Sequence, residues 1–355
     1  MGKAAYSSVE TPAVLVDLDI AERNIIRFQA YCDEHGLKLR PHIKTHKLPR
    51  LARFQIEKGA VGITCQKLSE ADAMTDGTGI DDVLITYNLV GEAKQERLKA
   101  LAGKIKLRVV ADSAAVVEGL SAAMNGSGHK LTVLIECDTG ARRCGVATPE
   151  AAAELAGRIA SSPNLHFGGL MTYPPVGGTE AVQEFMTKAK SLIEAFGTPV
   201  ETITSGGSPD MWRAHEAPVV TEYRPGTYVY NDRSLVERGI CGFDDCALHV
   251  LATVVSVPDA HRAIIDAGSK VLTSDLLGLT GYGHVVGRPD IAVDNLSEEH
   301  GRLVSREPVG FKVGDRVRIV PNHACVVANM LDAVVLTRGE DVLGPEPVVA
   351  RGKVW

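Results

Sequence analysis

The segment LKLRPHIKTHK (residues 37–47) joins a strand-like run to a proline, two histidines and two lysines. In this run Leu37 and Leu39 alternate with a polar residue, which is typical of a β-strand. The polar groups that follow it therefore lie where a buried strand ends. Because surface loops also carry mixed charge, the segment leaves open whether Lys44 or Lys47 has a chemical role, or whether neither has one.

Similar apolar runs recur along the first two thirds of the chain, and amphipathic stretches separate them. We predict strands at 37–43, 61–65, 83–86, 105–110, 131–137, 167–172, 200–204 and 227–230. We predict helices at 20–35, 49–58, 69–77, 91–101, 113–123, 149–161 and 179–196. This alternation indicates a parallel sheet with helical crossovers, and eight such units close into a (β/α)8 TIM barrel. A doubly wound sheet is the alternative, but no glycine-rich turn follows the first strand.

The pattern changes after about residue 235. Strand-like runs at 247–257, 262–266, 316–319, 326–328 and 333–338 are separated by turns and show little helical periodicity. They predict a separate β domain. We therefore assign residues 11–235 to the barrel and residues 236–355, together with 1–10, to a C-terminal β domain.

Composition excludes several classes of protein. The net charge of −6 argues against a nucleic-acid-binding surface, and no apolar run is long enough to cross a membrane. The seven cysteines are scattered and odd in number, which indicates reduced thiols in a cytoplasmic protein. Cys241 and Cys246 are close enough in sequence to pair, although the compartment argues against a disulfide.

Catalytic groups of a parallel barrel lie just after the carboxyl ends of its strands. The residues found there are mostly polar, as barrel ends are in general: His42, Lys44, His46, Cys65, Gln66, Tyr87, Asn88, Asp112, Asp138, Arg142, Arg143, Tyr173, Ser205, Gly206, Gly207, Ser208, Asn231 and Asp232. Their polarity alone does not identify a site.

The stretch TSGGSP (residues 204–209) follows the seventh predicted strand, where barrels commonly bind a phosphate. Its glycines allow backbone N–H groups to approach an anion, but a glycine turn without a phosphate has the same sequence. A lysine in such a pocket can form a Schiff base with an aldehyde. Lys44, the glycine loop and Tyr173 together favour a phosphorylated aldehyde cofactor, whereas Lys44 alone is also compatible with an ordinary surface lysine.

Six segments carry a resemblance to a known family: TPAVLVDLDIAERNI (11–25), RPHIKTHK (40–47), ECDTGARRCGV (136–146), TSGGSP (204–209), YRPGTYVYND (223–232) and PNHAC (321–325). They resemble the D-threonine aldolase and D-serine dehydratase family. RPHIKTHK is highly specific, whereas TSGGSP alone is weak. The resemblance covers nearly the whole chain and implies an alanine-racemase-like barrel of fold type III, a C-terminal β domain and pyridoxal 5′-phosphate as cofactor.

The resemblance also implies roles for individual residues. Lys44 matches the Schiff-base lysine, and His42, Lys44 and His46 would alternate on one face of an extended chain while Lys47 points elsewhere. The other implied cofactor contacts are Arg143 beside the phenolic oxygen, Tyr173 facing the cofactor, Ser205, Gly206 and Gly207 in the phosphate loop, Arg224 at the pyridine nitrogen and Tyr228 near the phosphate. We expect Lys44, Tyr173 and His42 to act in catalysis.

His323 and Cys325 match the metal ligands of the family, which are His-x-Cys or His-x-Asp. Two ligands one residue apart on a strand would point to the same face. A thiolate ligand favours Zn2+ over Mn2+ or Mg2+. The alternative is an ordinary histidine beside a core cysteine.

The implied substrate is a D-amino acid with a hydroxyl group on Cβ, which is either dehydrated or cleaved by a retro-aldol reaction. The sequence departs from the aldolases at two places. Cys325 replaces an aspartate, and TYPPVGG (172–178) lacks the histidine of Tyr-x-Gly-His. Both departures favour dehydration, although His215 could replace the missing base.

Two other functions are compatible with the sequence. An amino-acid racemase needs a second base, which GLTGYGH (278–284) supplies as Tyr282, but that function leaves His323 and Cys325 unexplained. A pyridoxal-phosphate carrier protein would be a single barrel, so the additional β domain argues against it. Racemase-like barrels pair head to tail, and we therefore expect a homodimer without nucleic-acid or membrane partners.

Overall fold

The computed structural model of the protein describes residues 6–355, and its residues form two compact units. The barrel unit comprises Arg27–Lys44, Pro49–Gly226 and Lys353–Trp355. The sheet unit comprises the described residues up to Ile26, Thr45–Leu48 and Thr227–Gly352. Both units are therefore discontinuous in sequence. Residues 1–5 of the predicted N-terminal segment lie outside the described part, and the predicted boundary at residue 235 stays a prediction.

The described chain begins with strand β1 (Ala13–Asp17), which leads directly into helix α1 (Leu18–Glu34). The strands of the barrel unit are β2 (Lys38–Leu39), β3 (Ile63–Cys65), β4 (Asp82–Asn88), β5 (Lys106–Ala111), β6 (Leu131–Cys137), β7 (Leu165–Thr172), β8 (Thr202–Ser205) and β9 (Glu222–Tyr223). The helices between them are α2 (Pro49–Glu57), α3 (Leu68–Thr75), α4 (Glu92–Ala102), α5 (Ala114–Ala123), α6 (Pro149–Ser161) and α7 (Thr179–Ala195).

The eight barrel strands are parallel and follow the order β2-β9-β8-β7-β6-β5-β4-β3. An isolated parallel bridge between His42 and Thr64 joins the two ends of this order. Leu84, Val110, Leu134 and Met171, from four neighbouring strands, pack together in a buried cluster. The predicted (β/α)8 barrel is confirmed, and its carboxyl strand ends meet at one rim.

One predicted barrel strand is wrong. The run at 227–230 is rich in β-favouring residues, yet it forms the 3-10 turn Thr227–Val229 and belongs to the sheet unit. The N–H groups of Tyr230 and Asn231 both donate to Thr227 O, which closes the turn. The eighth strand is instead β9, whose two residues pair with β8 and β2.

The sheet unit contains the remaining elements: helices α8 (Arg233–Glu237), α9 (Ser269–Leu272) and α10 (Ala324–Val327), and strands β10 (Leu248–Asp259), β11 (Arg262–Ile265), β12 (His284–Val285), β13 (Ala292–Leu296), β14 (Gly301–Val304), β15 (Arg316–Val320), β16 (Ala333–Arg338) and β17 (Asp341–Pro347). Its sheet has nine strands in the order β11-β14-β13-β12-β15-β10-β1-β16-β17. The predicted C-terminal β domain is confirmed in kind.

The start of the barrel at residue 11 is wrong because β1 belongs to this nine-stranded sheet. It pairs with β10 on one edge, antiparallel, and with β16 on the other, parallel. An apolar run followed by a helix has the appearance of a first βα unit, which explains the error. The predicted strand at 326–328 is also wrong, since Ala324–Val327 is the short helix α10.

No helix within residues 6–355 combines the length and apolarity that a membrane span requires.

Candidate active site

The two lysines of RPHIKTHK have different surroundings. Lys44 lies in the 3-10 turn Ile43–Thr45 after β2, and its side chain is exposed. Lys47 is buried, and its Nζ donates to Asn329 Oδ1 at 2.8 Å and to Ala350 O at 3.1 Å. Lys44 is therefore accessible to a cofactor, whereas the ammonium group of Lys47 is committed to contacts inside the sheet unit.

His42 is buried beside this turn. Its Nε2 lies 3.0 Å from Gln66 Oε1. Burial, and then the charge of Lys44, hold the pKa of His42 well below its usual range, so the ring is neutral. The predicted alternation of His42, Lys44 and His46 on one face is wrong. The chain turns at Ile43–Thr45, which leaves both histidines buried and Lys44 exposed.

Arg143 and Tyr173 meet at the carboxyl ends of β6 and β7. The guanidinium carbon of Arg143 lies 4.7 Å from the centre of the Tyr173 ring, and its Nη2 lies 3.7 Å from Glu136 Oε1. Both Arg143 and Tyr173 are partly exposed, whereas Glu136 is buried. Burial raises the pKa of Glu136, and the charges of Arg143 and Arg224 oppose that rise. The sequence analysis missed Glu136, although an acid within an apolar strand was a visible signal.

Arg224 is fully buried after β9 and is held by the ends of two other strands. Its Nε donates to Thr204 Oγ1 at 2.8 Å and its Nη2 to Thr172 O at 2.5 Å. Burial lowers the pKa of Arg224 to about 10. The side chain is thus fixed in place within the barrel unit, and its predicted role at the pyridine nitrogen stays a prediction.

The glycine loop offers space for an anion on one side only. A Cβ on Gly206 would lie 2.7 Å from Arg224 O, so this residue must be glycine because of close backbone packing. Gly207 has φ +146°, and a Cβ there would contact Pro209 and Tyr173 only at 3.8 Å. Ser205 is buried, and its carbonyl accepts the N–H of Arg224 at 2.9 Å. The open side of Gly207 next to Tyr173 fits the phosphate end of pyridoxal phosphate.

Tyr228 lies buried in the turn Thr227–Val229 of the sheet unit. Its predicted role near the phosphate stays a prediction.

His323 and Cys325 are not on a strand, as the sequence had suggested. Strand β15 ends at Val320, His323 immediately precedes helix α10, and Cys325 lies within that helix. Their side chains nevertheless lie close enough for Cys325 to raise the pKa of His323. His323 Nδ1 lies 2.7 Å from Asp275 Oδ2, which leaves Nε2 as the ring nitrogen for another ligand.

The surroundings of Cys325 are polar. Its Sγ lies 3.1 Å from Thr45 Oγ1 and 3.3 Å from Thr227 Oγ1. Thr45 is the residue after Lys44 in the chain. Neither hydroxyl is a strong metal ligand, but both can donate a hydrogen bond to a thiolate.

Electrostatics support a cation at this pair. Burial opposes a charge on His323, but the hydrogen bond with Cys325 and its negative charge, and then Asp275, raise the pKa of His323 to about 9. A divalent metal ion could take the place of that bound proton, so the donor set fits a metal such as Zn2+. Within residues 6–355 no cluster of three or more His, Cys, Asp or Glu residues has the arrangement of a metal site. The remaining ligands would therefore come from water or substrate.

Asp232, predicted from the sequence only as a strand-end residue, organises the turn that carries this pair. Its side chain is fully buried and accepts hydrogen bonds from Ala324 N at 3.0 Å, Leu235 N at 3.1 Å and Ser234 Oγ at 2.7 Å. One carboxylate thus caps α8 and also holds the first residue of α10.

His215 and Tyr282, the two residues proposed as alternative bases, make contacts of other kinds. His215 Nδ1 lies 2.6 Å from Tyr31 Oη on helix α1, and its ring stacks on His35, the residue after that helix, at 4.2 Å. The expectation that His215 replaces the missing base is not supported, because its partners lie on and directly after helix α1 and not at a strand end. Tyr282 donates its N–H to Val293 O in the sheet unit, and its role as a racemase base stays untested.

Comparisons with known proteins agree with this architecture. The family model described as "Alanine racemase, N-terminal domain" matches residues 16–234, and a serine dehydratase domain model matches residues 247–337. The 3-hydroxy-D-aspartate aldolase of Paracoccus denitrificans (strain Pd 1222) is 34% identical over an alignment of 369 positions, gaps included. The alignment covers 98% of this chain and 93% of the relative. The D-threonine aldolase of Filomicrobium marinum has a solved structure with a TM-score of 0.92 at 32% identity, covering 99% of this chain and 98% of that one.

A dehydratase is about as similar. The D-threo-3-hydroxyaspartate dehydratase of Delftia sp. (strain HT23) is 32% identical over 356 residues, covering 92% of this chain and 93% of the relative. A structure of a D-threo-3-hydroxyaspartate dehydratase in which a cysteine is replaced by alanine, in the metal-free form, has a TM-score of 0.86 at 29% identity, covering 96% of this chain and 98% of that one.

The barrel and the C-terminal β domain define an enzyme of the alanine-racemase-like, pyridoxal-phosphate-dependent class. Within that class, the chain belongs to the D-threonine aldolase and D-serine dehydratase family.

Proposed function

We propose that the protein is a pyridoxal-phosphate- and metal-dependent lyase that acts on D-β-hydroxy-α-amino acids. The observation that carries this proposal is the contact between the side chains of His323 and Cys325, with Asp275 on the second ring nitrogen of His323. The racemase alternative leaves this pair unexplained. The named relatives, which are aldolases and dehydratases, support the same reaction class.

The proposed roles follow from the surroundings of each residue. When bound, pyridoxal phosphate supplies an aldehyde for an amine and a ring that stabilises negative charge on Cα. Lys44 Nζ is the exposed amine that holds the cofactor and, once free, removes the α-proton of the substrate. Gly207 and Ser205 lie in the loop proposed for the phosphate. Arg224, whose guanidinium is too weak an acid to protonate a pyridine, would leave the ring nitrogen of the cofactor unprotonated.

Three further residues assist this chemistry in the proposal. Arg143 binds the phenolic oxygen of the cofactor, Tyr173 stacks against Arg143 on the same rim, and the neutral His42 imidazole is available to accept a proton. A divalent cation held by His323 and Cys325 would supply the positive charge that stabilises the departing β-oxygen of the substrate.

We favour dehydration over aldol cleavage. Cleavage requires a base at the β-hydroxyl, and the stretch 172–178 contains no histidine, while His215 is bound to α1. The dehydratase solved in its metal-free form after loss of a cysteine supports a cysteine as a metal ligand. We further propose Zn2+ as the metal, a homodimer as the assembly and the cytoplasm as the location.

The proposal is tested by incubating the purified enzyme separately with D-serine, D-threonine and 3-hydroxy-D-aspartate. We expect a 2-oxo acid and ammonia, and loss of this activity in a chelator that Zn2+ restores. Glycine and an aldehyde would instead show aldol cleavage within the same family. Formation of the L-enantiomer by metal-free enzyme would establish the racemase and contradict the lyase.

A further inference from the structure

Two cysteines flank a tight turn in the sheet unit. The segment CGFDDC (residues 241–246) contains the 3-10 turn Phe243–Asp245. Asp245 N donates to Gly242 O, and Cys246 N donates to Phe243 O, both at 3.0 Å. The chain therefore reverses between the two cysteines, and the Cys241 thiol is the main group that raises the pKa of Cys246.

Contacts outside the thiols hold this turn in place. Asp245 O accepts Asn24 Nδ2 at 2.8 Å and Asn231 Nδ2 at 3.0 Å. The ring of Phe243 stacks on His284 with 3.8 Å between the ring centres. Because these contacts do not involve sulfur, they hold the turn in the reduced protein, where Cys246 Sγ lies 3.8 Å from the carbonyl oxygen of Gly242, the residue next to Cys241.

The two thiols differ in access. Cys246 is fully buried and donates to Gly242 O at 3.8 Å, whereas Cys241 is partly exposed. The hydrogen bond with Cys241, followed by burial, raises the pKa of Cys246 above its usual range. An oxidant from solution therefore reaches Cys241 first, and Cys246 reacts only with a sulfur already next to it.

We propose that Cys241 and Cys246 are a reversible dithiol–disulfide site that reacts with small disulfides such as oxidised glutathione. The Cys241 thiolate attacks one sulfur of the disulfide, which breaks its S–S bond and releases one glutathione thiolate. Cys246 sulfur then attacks Cys241 sulfur, forms the internal S–S bond and releases the second glutathione. The protons of the two protein thiols pass to the two glutathiones. Two electrons move from the protein to the oxidant.

This site is independent of the proposed lyase function. A disulfide that forms and is reduced again is the kind found in reducing compartments. Cys144 is also exposed and provides a comparison within the same chain, since Cys137, the cysteine nearest to it in sequence, is buried.

The test is to incubate reduced protein with oxidised glutathione, block the remaining thiols with N-ethylmaleimide and analyse tryptic peptides by mass spectrometry. The peptide 239–262 contains both cysteines and no internal lysine or arginine. We expect it to be two hydrogens lighter without any adduct, and to accept two maleimides after dithiothreitol. Two maleimides before reduction, or glutathione retained on Cys241, would overturn the proposal.

Two variants establish the order of attack. In Cys246→Ser, glutathione should stay on Cys241, because the thiol that displaces it is gone. In Cys241→Ser, which changes only a partly exposed side chain, the buried Cys246 should remain unmodified. Equal glutathione labelling of Cys246 in Cys241→Ser would contradict the proposed site.

Discussion

Lys44 and Lys47 are three residues apart, and their contacts predict opposite consequences of substitution. Lys44→Ala should abolish the visible absorbance of bound cofactor, because the exposed amine is lost. Lys47→Ala should keep that absorbance but lower the free energy of unfolding by about 1–3 kcal/mol, since Asn329 and Ala350 would lose a buried donor. Absorbance spectra and urea unfolding measure both effects. A borohydride-trapped cofactor on Lys47 would reverse the assignment.

Asp275 is the residue whose role depends most directly on the metal. It accepts or shares the proton on His323 Nδ1 and so orients the opposite nitrogen. Asp275→Asn preserves the shape but removes the charge, and we expect a 10–100-fold loss of metal affinity, which is about the usual effect of such a partner. Competition with a chromogenic chelator measures the affinity without any need for activity.

The matched control for Asp275→Asn is Asp290→Asn, since Asp290 is an acid of the same unit that pairs with Arg288 on the surface. It should leave the metal affinity unchanged. Equal affinities for both variants would show that Asp275 does not support the metal ligand.

Sequence could suggest the site residues with strong local motifs but not their partners. Lys44 and Arg143 lie in motifs that can be read directly. Asp275 lies 48 residues from His323 in the chain, and only the fold brings them together. Glu136 could have been predicted as a functional residue, because it is a charged residue in an apolar strand. Its pairing with Arg143 could not be predicted from the sequence.

At the scale of elements, periodicity predicted the helices well. The predicted helix at 149–161 is observed as Pro149–Ser161, where Thr148 accepts the N–H of Ala151 and Pro149 occupies the first turn. Long amphipathic segments bury one face, so their pattern survives in any tertiary context. Short elements fared worse: β9 has two residues and presents no alternation to detect.

The turn at α10 shows why local sequence was misleading. The run 324–328 is apolar and resembles a strand, but Asp232 binds Ala324 N from far away in the chain and starts a helical turn there. Tertiary capping therefore overrode propensity. His323 and Cys325 still interact, because the turn brings both side chains to the same side.

His249 on strand β10 predicts how stability depends on pH. Burial, and then the charge of Arg318, lower the pKa of His249 from 6.5 to about 4. Below pH 6.5 the unfolded chain binds a proton that the folded protein refuses, so stability contributed by the neutral ring is complete above pH 6.5 and is lost as the pH falls towards 4. The loss is at most about 3 kcal/mol.

Comparison with His249→Leu isolates this contribution. The variant should show a smaller decrease in the free energy of unfolding between pH 6.5 and 4, measured by urea unfolding at each pH. Parallel curves for the two proteins would mean that His249 titrates normally in the fold.

For the whole molecule, the discontinuity of both units determines which fragments can fold. A fragment ending at residue 235 retains β1 but loses β10 and β16, its partners on both edges. An apolar strand with two open edges aggregates readily. We expect this fragment to precipitate, whereas the full chain stays dispersed in light scattering.

Leu15→Lys tests the reason for that behaviour. In the fragment, a charge on the unpaired strand should reduce aggregation. In the full chain, where Leu15 is buried, the same change should destabilise the protein by several kcal/mol, on the order expected for burying an unpaired charge. A fragment that stays monomeric without the substitution would contradict the role of β1.

The central place of β1 also has a consequence for synthesis. All eight barrel strands have left the ribosome once Tyr223 has emerged, but β1 waits for Leu248 and Ala333, where its two partner strands begin. At bacterial or eukaryotic translation speeds, that delay is on the order of ten seconds to a minute. Strand β1 is thus apolar and unpaired while the rest of the chain is synthesised. We expect it to be a target for chaperones that act during translation.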